Sequence, residues 1–157
     1  MISAEYIAGF FDGEGCIDFK RTGQARMIAV RAALTNTNLE FLKLIQIQYG
    51  GKIYSKPIKG KPHWKNWNAL TWINSEAINF LKLIKPYAFL KLDQIKLAEE
   101  YWEFSQTPKS MRCENILVLC KDGKNRSISM RTDETLVIEQ EFKDRMHDLN
   151  RKGIALQ

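Results

Sequence analysis

The chain has 157 residues, of which 45% are hydrophobic and 27% are charged, and this balance is typical of a globular protein rather than a disordered or fibrous one. Its formal net charge of +6 favours a polyanionic partner, and nucleic acid ranks before a membrane because no basic amphipathic anchor or long apolar run is present. Three cysteines without a C-x-x-C pair argue against a disulfide framework or a zinc finger, and two histidines without H-E-x-x-H spacing argue against a histidine-dependent metallohydrolase.

The location that these features predict is inside a cell. The first residues lack a charged region followed by an apolar run and a small-residue cleavage site, so no secretory signal is expected. Reduced thiols in an intracellular protein are therefore expected. The sequence does not distinguish an organelle, a mitochondrion or a chloroplast, from a prokaryotic cytoplasm.

The N-terminal stretch 6–19, YIAGFFDGEGCIDF, begins with helical spacing and ends with strand alternation. Ser3 is a good N-cap for a helix that starts at Ala4. Gly9 and Gly13 lie four residues apart on one face of this helix, where the missing Cβ atoms let another backbone come close. This face is therefore predicted to meet a second helix.

An acidic residue, Glu14, is predicted at the C-terminal end of this helix, because alternation begins after Gly15 with Ile17 and Phe19 on one side. A carboxylate beside exposed helix carbonyls is electrostatically unfavourable, and a bound cation would reverse that. If the glycine face meets the same face of a second copy, two such carboxylates converge, and oxygen ligands of this kind suit Mg²⁺. A D-G-E-G stretch can also be a plain helix cap, but the helix before it and the strand after it favour a functional junction.

Two β-hairpins are predicted, one over residues 16–37 and one with arms at 52–58 and 64–73. In the first hairpin, alternation gives an apolar face for the core and a polar, slightly basic reverse face. The reverse face of the second arm is expected to carry Ala29, Arg31 and Ala33.

The last strand of the second hairpin leaves two orientations open, because its tryptophans and leucine do not keep one parity. In one, Leu70 and Trp72 face the core, and Trp67 and Thr71 point outward. The other orientation would present two asparagines instead.

Four further helices are predicted from spacing and caps, over residues 39–49, 75–83, about 90–104 and 132–149. Residues 112–120 are apolar and ambiguous between helix and strand. The predicted order is α-β-β-α-β-β-α-α followed by further helical structure. No internal repeat is found, and the acidic stretch occurs once.

Residues 7–15, IAGFFDGEG, resemble the signature of the LAGLIDADG homing endonucleases at the alanine, at all three glycines and at both acidic positions. The resemblance implies an α+β fold, with an α-β-β-α-β-β-α core whose saddle-shaped antiparallel sheet lies over DNA, and additional C-terminal helices. It covers about residues 4–105 of a single domain, 1–157, and leaves 109–157 as an extension. Because the motif occurs once in this chain, the resemblance implies a homodimer that binds a near-palindromic DNA site.

The activity implied by the resemblance is site-specific double-strand DNA cleavage by Mg²⁺-dependent phosphodiester hydrolysis, leaving 3′ overhangs and promoting intron or intein mobility. Glu14 corresponds to the metal-ligating acid, and the carbonyl of Gly13 to a further ligand. Asp12 corresponds to an earlier acidic position with a supporting role. Two alternatives on the same fold are an RNA-binding intron maturase and a non-catalytic DNA-binding regulator.

Two further catalytic positions are carried over from the resemblance. Asn36 corresponds to a polar residue that positions water, although a role as N-cap of the next helix is equally open. Lys91 corresponds to a lysine that stabilises negative charge or orients water, and Lys96 takes its place if the alignment shifts.

The polar faces and turns of the two hairpins are predicted to contact DNA, since a two-stranded ribbon fits the major groove. An ordinary solvated sheet face is the alternative. The predicted dimer interface comprises Ala8, Gly9, Asp12 and Gly13. The predicted DNA-binding residues are Lys20, Thr22, Gln24, Arg31, Lys52, Tyr54, Lys56, Lys59, Lys61 and Lys65.

Overall fold

The structure, a computed structural model, describes residues 1–22, 27–56, 67–119 and 125–151. A 3₁₀ turn lies at Lys85–Tyr87. The helices and strands in these ranges are, in chain order, α1 (Ala4–Glu14), β1 (Gly15–Thr22), β2 (Met27–Asn36), α2 (Leu39–Tyr49), β3 (Lys52–Lys56), β4 (Trp67–Ile73), α3 (Ser75–Ile84), α4 (Leu92–Ser105), α5 (Lys109–Arg112), β5 (Cys113–Leu119), β6 (Asn125–Arg131) and α6 (Asp133–Arg151).

Helix α1 forms where its cap and spacing predict. The Ser3 hydroxyl accepts a hydrogen bond from the Tyr6 backbone N–H at 3.3 Å, which satisfies one of the free donors of the first turn. Ile7 and Phe11 are fully buried on one side of the helix. The amphipathic pattern therefore fixes which side of α1 meets the core.

Four strands form one antiparallel sheet in the order β1-β2-β4-β3. The helices cover one face, where Ile17, Leu34 and Trp72 are buried. The register pairs Asp18 with Arg31 across β1 and β2, and these residues lie on the opposite face. In the described ranges, this second face carries no helix, and we call it the open face.

The orientation of β4 is settled by its burial. Leu70 and Trp72 face the core with 0% and 1% exposure, so Thr71 and Trp67 lie on the open face. Asn68 shares the core parity and is buried, and its side-chain amide donates to the Thr37 carbonyl at 3.2 Å. The mixed parity of this strand therefore comes from Trp67, which is 41% exposed on the open face, while the buried amide has a hydrogen-bond partner on the core side.

The open side of β2 is less exposed than alternation predicts. Ala29 and Ala33 are only 3% and 6% exposed. Both are small residues on a central strand, and the register places Lys20 opposite Ala29 and Cys16 opposite Ala33. Larger neighbours on the adjacent strand therefore cover them.

Helix α6 extends the core and covers the outer edge of the sheet. Phe142 and Met146 join the same buried apolar cluster as the sheet and α4. The Asn150 side-chain amide donates to the Ile17 carbonyl on β1 at 2.9 Å. A helix that occupies an edge strand's free backbone groups protects that edge from further pairing.

The ambiguous segment 112–120 ends α5 at Arg112 and is a strand over Cys113–Leu119, which pairs with Asn125–Arg131 as an antiparallel hairpin. The further helical structure expected after α4 is therefore only partly correct, because α5 and α6 flank a second, two-stranded sheet. The Lys-Asp-Gly-Lys sequence of residues 121–124 predicts a loop or turn, and these residues lie outside the described ranges. Among the described helices, none has the length and apolarity needed to cross a membrane.

Candidate functional site

The junction between α1 and β1 brings the acidic motif to the surface. Glu14 is the last residue of α1 and is exposed, and Gly15 begins β1 at once. The Gly15 N–H donates to the Phe11 carbonyl, which ends the helix. A Cβ atom on Gly15 would lie 2.5 Å from the fully buried Phe11 ring, so only glycine permits this direct change from helix to strand.

The first acidic residue of the motif, Asp12, points inward and holds the segment that leads into α4. It is 8% exposed. Its carboxylate accepts hydrogen bonds from three successive backbone N–H groups, those of Phe89 at 2.7 Å, Leu90 at 3.0 Å and Lys91 at 3.0 Å. Asp12 therefore ties α1 to the residue predicted to act beside Glu14.

We expect Asp12→Ala to lower the free energy of unfolding by about 2–3 kcal/mol, because three backbone donors lose a charged acceptor in a mostly buried position. Urea unfolding followed by circular dichroism measures this change. Asp93→Ala is the matched control, since Asp93 is an exposed carboxylate on α4. Equal stability of the two variants would contradict a structural role for the Asp12 carboxylate.

Lys91 lies at the N-cap position of α4 and is partly buried. Its backbone N–H donates to Asp12 of α1, which places it close to the start of β1, where Cys16 lies. The pKa of the Cys16 thiol is raised first by desolvation, although the residue is exposed, and then by Asp18. The positive charges of Arg31 and Lys91 act on it in the opposite direction. Lys91 is thus an electrostatic neighbour of the strand that follows Glu14.

The alternative lysine, Lys96, has a different environment. It is exposed, and its ammonium group lies 3.5 Å from Asp93 one turn earlier in α4. Together with Glu100 and Arg145 it lines an open surface cavity of about 510 Å³ between α4 and α6. This placement favours Lys91 over Lys96 as the residue near the junction.

Asn36 is the last residue of β2 and lies at the same end of the sheet as the junction between α1 and β1. Leu34, two residues earlier, pairs with Gly15 at this junction. Its side-chain oxygen accepts from the Asn38 N–H at 2.7 Å. The N-cap of α2 is Asn38 itself, whose side chain accepts from Phe41 N–H at 3.1 Å. The alternative role of Asn36 as this N-cap is therefore wrong, because the N-cap lies two residues later and the helix begins at Leu39.

The predicted DNA-binding residues fall into three groups. Lys20, Lys52 and Tyr54 are exposed on the open face, and the Lys52 ammonium lies 5.5 Å from the Tyr54 ring centroid. Arg31 is on the same face but forms an ion pair with Asp18. Thr22 and Lys56 lie at described strand ends whose side chains are not described, and the residues outside the described ranges are Gln24, Lys59, Lys61 and Lys65.

The predicted interface residues divide between two sides of α1. Gly9 and Gly13 are exposed, and a Cβ atom added to either would meet nothing within 4 Å. Ala8 is fully buried and Asp12 nearly so, both against the interior of their own chain. The surface that a second copy could reach is therefore the glycine face, without Ala8 and Asp12.

An apolar stripe beside the glycine face was not predicted as a surface. Tyr6, Phe10 and Phe41 form a ring cluster with centroid separations of 5.0 to 6.4 Å. Leu44 and Ile47 continue it along α2 and are 58% and 83% exposed. The sequence feature that could have predicted this stripe is the width of the apolar side of α2. Packing against its own chain cannot bury a side of this width completely.

The donors at the junction fit a hard divalent cation only in part. Glu14 supplies one carboxylate, and carbonyl groups at the C-terminal end of α1 are the other oxygen donors nearby. Within the described ranges, no three His, Cys, Asp or Glu side chains come together as a metal cluster. A second Glu14 from another copy would give the donor set that Mg²⁺ prefers.

Comparison with known proteins defines the fold. No protein-family model matches the sequence, and no curated protein matches it. The homing endonuclease I-CvuI in complex with its target is 18% identical, with a TM-score of 0.65 over 93% of this chain and 80% of that one. The archaeal intron-encoded homing endonuclease I-Vdi141I complexed with DNA is also 18% identical, with a TM-score of 0.66 over 98% and 87%.

A third similar structure is the LAGLIDADG meganuclease I-AabMI bound to uncleaved DNA, with 16% identity and a TM-score of 0.60. The match covers 90% of this chain but 44% of that one, so this chain spans about half of the larger protein. The chain therefore has the fold of the LAGLIDADG homing endonucleases. The predicted α+β fold class is confirmed.

Proposed function

We propose that the protein is a homodimeric, Mg²⁺-dependent endonuclease that cleaves both strands of a long, near-palindromic DNA site. The observation that carries this proposal is the position of Glu14, which ends a helix whose glycine face is exposed and has room for a Cβ atom at both glycines among the described residues. The similar structures are homing endonucleases in complexes with DNA, which supports the same class of substrate here.

The dimer follows from the surface of α1. Gly9 and Gly13 lower helix stability relative to alanine. Packing among the described residues does not require glycine at either position, since a Cβ atom would fit at both. Close packing against a second helix gives these glycines a physical purpose. The exposed stripe from Tyr6 to Ile47 would be covered by the same contact, and a two-fold axis there brings two Glu14 carboxylates together.

DNA would lie on the open face of the sheet. The chain carries a net charge of +6, and Lys20 and Lys52 are exposed on opposite outer strands of this face. Lysines at the rims of a sheet suit the two phosphate backbones, which fix position without reading sequence. Side chains on the inner strands are then left for the base edges.

Hydrolysis places distinct demands on each residue. Glu14 from each copy, with the Gly13 carbonyl, would hold the cation, which when bound activates water and neutralises the phosphate. Lys91 would hold a positive charge against the negative charge that develops on the phosphate. Asn36 would orient the attacking water through its side-chain amide.

Replacement of Lys91 by alanine should lower the single-turnover cleavage rate by about a hundredfold, the usual effect of removing one charge-stabilising donor. Lys96→Ala is the matched control and should change the rate by no more than about twofold, since Lys96 is held near Asp93. Quench-flow measurement on radiolabelled DNA gives both rates. A larger loss of cleavage rate in Lys96→Ala than in Lys91→Ala would assign the catalytic role to Lys96.

The decisive experiment is incubation of the protein with the allele of its host gene that lacks the intron or intein, first with Mg²⁺ and then with EDTA. We expect metal-dependent double-strand cleavage at one site, because mobility of the intervening element requires a break there. The sequenced products should carry 3′ overhangs. Binding without cleavage would favour a DNA-binding regulator. Binding to precursor RNA in place of DNA would favour a maturase.

A further inference from the structure

Asp18 and Arg31 face each other on the open face, at opposite positions of β1 and β2. The Arg31 Nε donates to Asp18 Oδ1 at 2.8 Å, and Nη2 donates to Oδ2. The two side chains are 30% and 29% exposed, so the pair is held at the surface of the sheet rather than inside it. The strand pattern of the sequence predicts Arg31 as a DNA contact and indicates no role for Asp18.

The geometry of the pair leaves a defined donor edge. The carboxylate uses Nε and Nη2, so the two Nη1 hydrogens and the second Nη2 hydrogen of Arg31 take no part in the ion pair. This end of a guanidinium is planar and presents two parallel donors. Because Asp18 already fixes the side chain, little further rotamer freedom is lost when the donor edge binds a ligand.

The surroundings let this edge reach outward. On the same face of β2, the neighbours of Arg31 are Ala29 and Ala33, which are too short to cover it. The next strand places Ile73 opposite, an apolar residue that offers no competing acceptor through its side chain. Arg31 is therefore a long donor between short or apolar residues.

The charge balance separates two classes of ligand. A phosphate is attracted by net positive charge, but Asp18 neutralises Arg31 and would repel a phosphate close to it. The exposed Lys20 on β1 forms no ion pair with another described residue and suits a phosphate better. A neutral ligand with two adjacent acceptors fits the Asp18–Arg31 pair, and guanine presents O6 and N7 in that arrangement in the major groove.

We propose that Arg31, held by Asp18, reads a guanine in each half of the DNA site by donating from Nη1 and Nη2 to O6 and N7. Arg31 is the base-reading residue, and Asp18 is a positioning residue. This inference rests on the proposed function, since it requires duplex DNA on the open face. It adds a specific base to what the fold and the acidic junction indicate.

The experiment is binding-site selection from duplex DNA randomised along its length, in Ca²⁺ or EDTA so that no cleavage occurs. The wild-type protein should enrich guanine at one position of each half-site. Arg31→Ala should lose preference at that position alone, and Arg31→Lys should lose most of it because an ammonium cannot form the fork. In direct binding, we expect discrimination for guanine to fall by about tenfold or more.

Asp18→Asn tests the positioning role, because the amide retains the size of the carboxylate but loses its charge. It should weaken the guanine preference at the Arg31 position and leave the other positions unchanged. Lys20→Ala is the control on the same face, and it should lower affinity for all sequences alike. Thermal unfolding of every variant shows whether it is folded, and the Arg31→Lys result stands if Arg31→Ala unfolds.

The possible failures are distinguishable. If Arg31 variants lower affinity uniformly, the residue contacts phosphate, and if their sequence profile matches the wild type, the pair is only structural; either result overturns the inference alone. The inference would also be overturned if both Asp18→Asn and Arg31→Lys kept the full guanine preference of the wild type. A wild-type protein that enriches no sequence would overturn the proposed function together with the inference.

Discussion

Glu14→Gln is expected to lower the rate of Mg²⁺-dependent DNA cleavage by about a thousandfold or more, because the bound cation contributes several kcal/mol to the transition state and each 1.36 kcal/mol is tenfold in rate. The substitution removes one negative charge and almost no volume from an exposed helix end. Binding to DNA should persist at about the wild-type affinity or better, since a carboxylate near phosphates is repulsive.

The measurement pairs single-turnover cleavage with an equilibrium binding assay in the same buffer. Glu103→Gln is the matched control, because Glu103 is an exposed glutamate near the far end of α4. That variant should cleave at the wild-type rate. Cleavage by Glu14→Gln at an unchanged rate would show that Glu14 does not hold the cation.

Gly9→Gln is expected to abolish both dimerisation and cleavage while the chain still folds. Gly9 is exposed and a Cβ atom added there would meet nothing within 4 Å, and glutamine is a better helix former than glycine by several tenths of a kcal/mol. The same side chain would separate two helices that pack across the glycine face, since close approach there needs the absence of Cβ atoms. The substitution should therefore stabilise helix α1 within the chain and destabilise the dimer.

Sedimentation equilibrium, with and without DNA, measures the assembly, and far-UV circular dichroism checks the fold. Gly9→Ala provides a graded comparison, with a smaller loss of dimer and a chain as well folded as the wild type. Glu103→Gln again serves as the control, because it places the same side chain on an exposed helix elsewhere. A Gly9→Gln protein with the wild-type dimer affinity would contradict contact through the glycine face.

Local features were predictable because their causes lie within a few residues. Ser3 caps α1 and Thr132 caps α6, because each hydroxyl oxygen accepts a hydrogen bond from the backbone N–H three residues later, as their positions before apolar periodic stretches indicate. The alternation of Ile17 and Phe19 likewise gave the buried side of β1 correctly. The exposed end of α1, with Glu14, follows from the same local rules.

The remaining parts of the site required the tertiary structure, because they join residues that are far apart in the chain. The Asp12 carboxylate holds backbone groups 77 to 79 residues later, and no local pattern identifies those partners. The side of β4 that faces the core was left open by its parity, and packing of Leu70 and Trp72 against the core positions of β2 settled it.

The sequence by itself determined the signature helix, its glycine face and the acidic residue at its end, since capping, helical spacing and strand alternation are short-range effects. The tertiary structure decided which side chains stay at the surface. It buried Ala8 and Asp12, exposed Leu44 and Ile47, and paired Arg31 with a carboxylate on the neighbouring strand. Packing between distant elements sets burial and ion pairing, and for that reason these features cannot be found from periodicity alone.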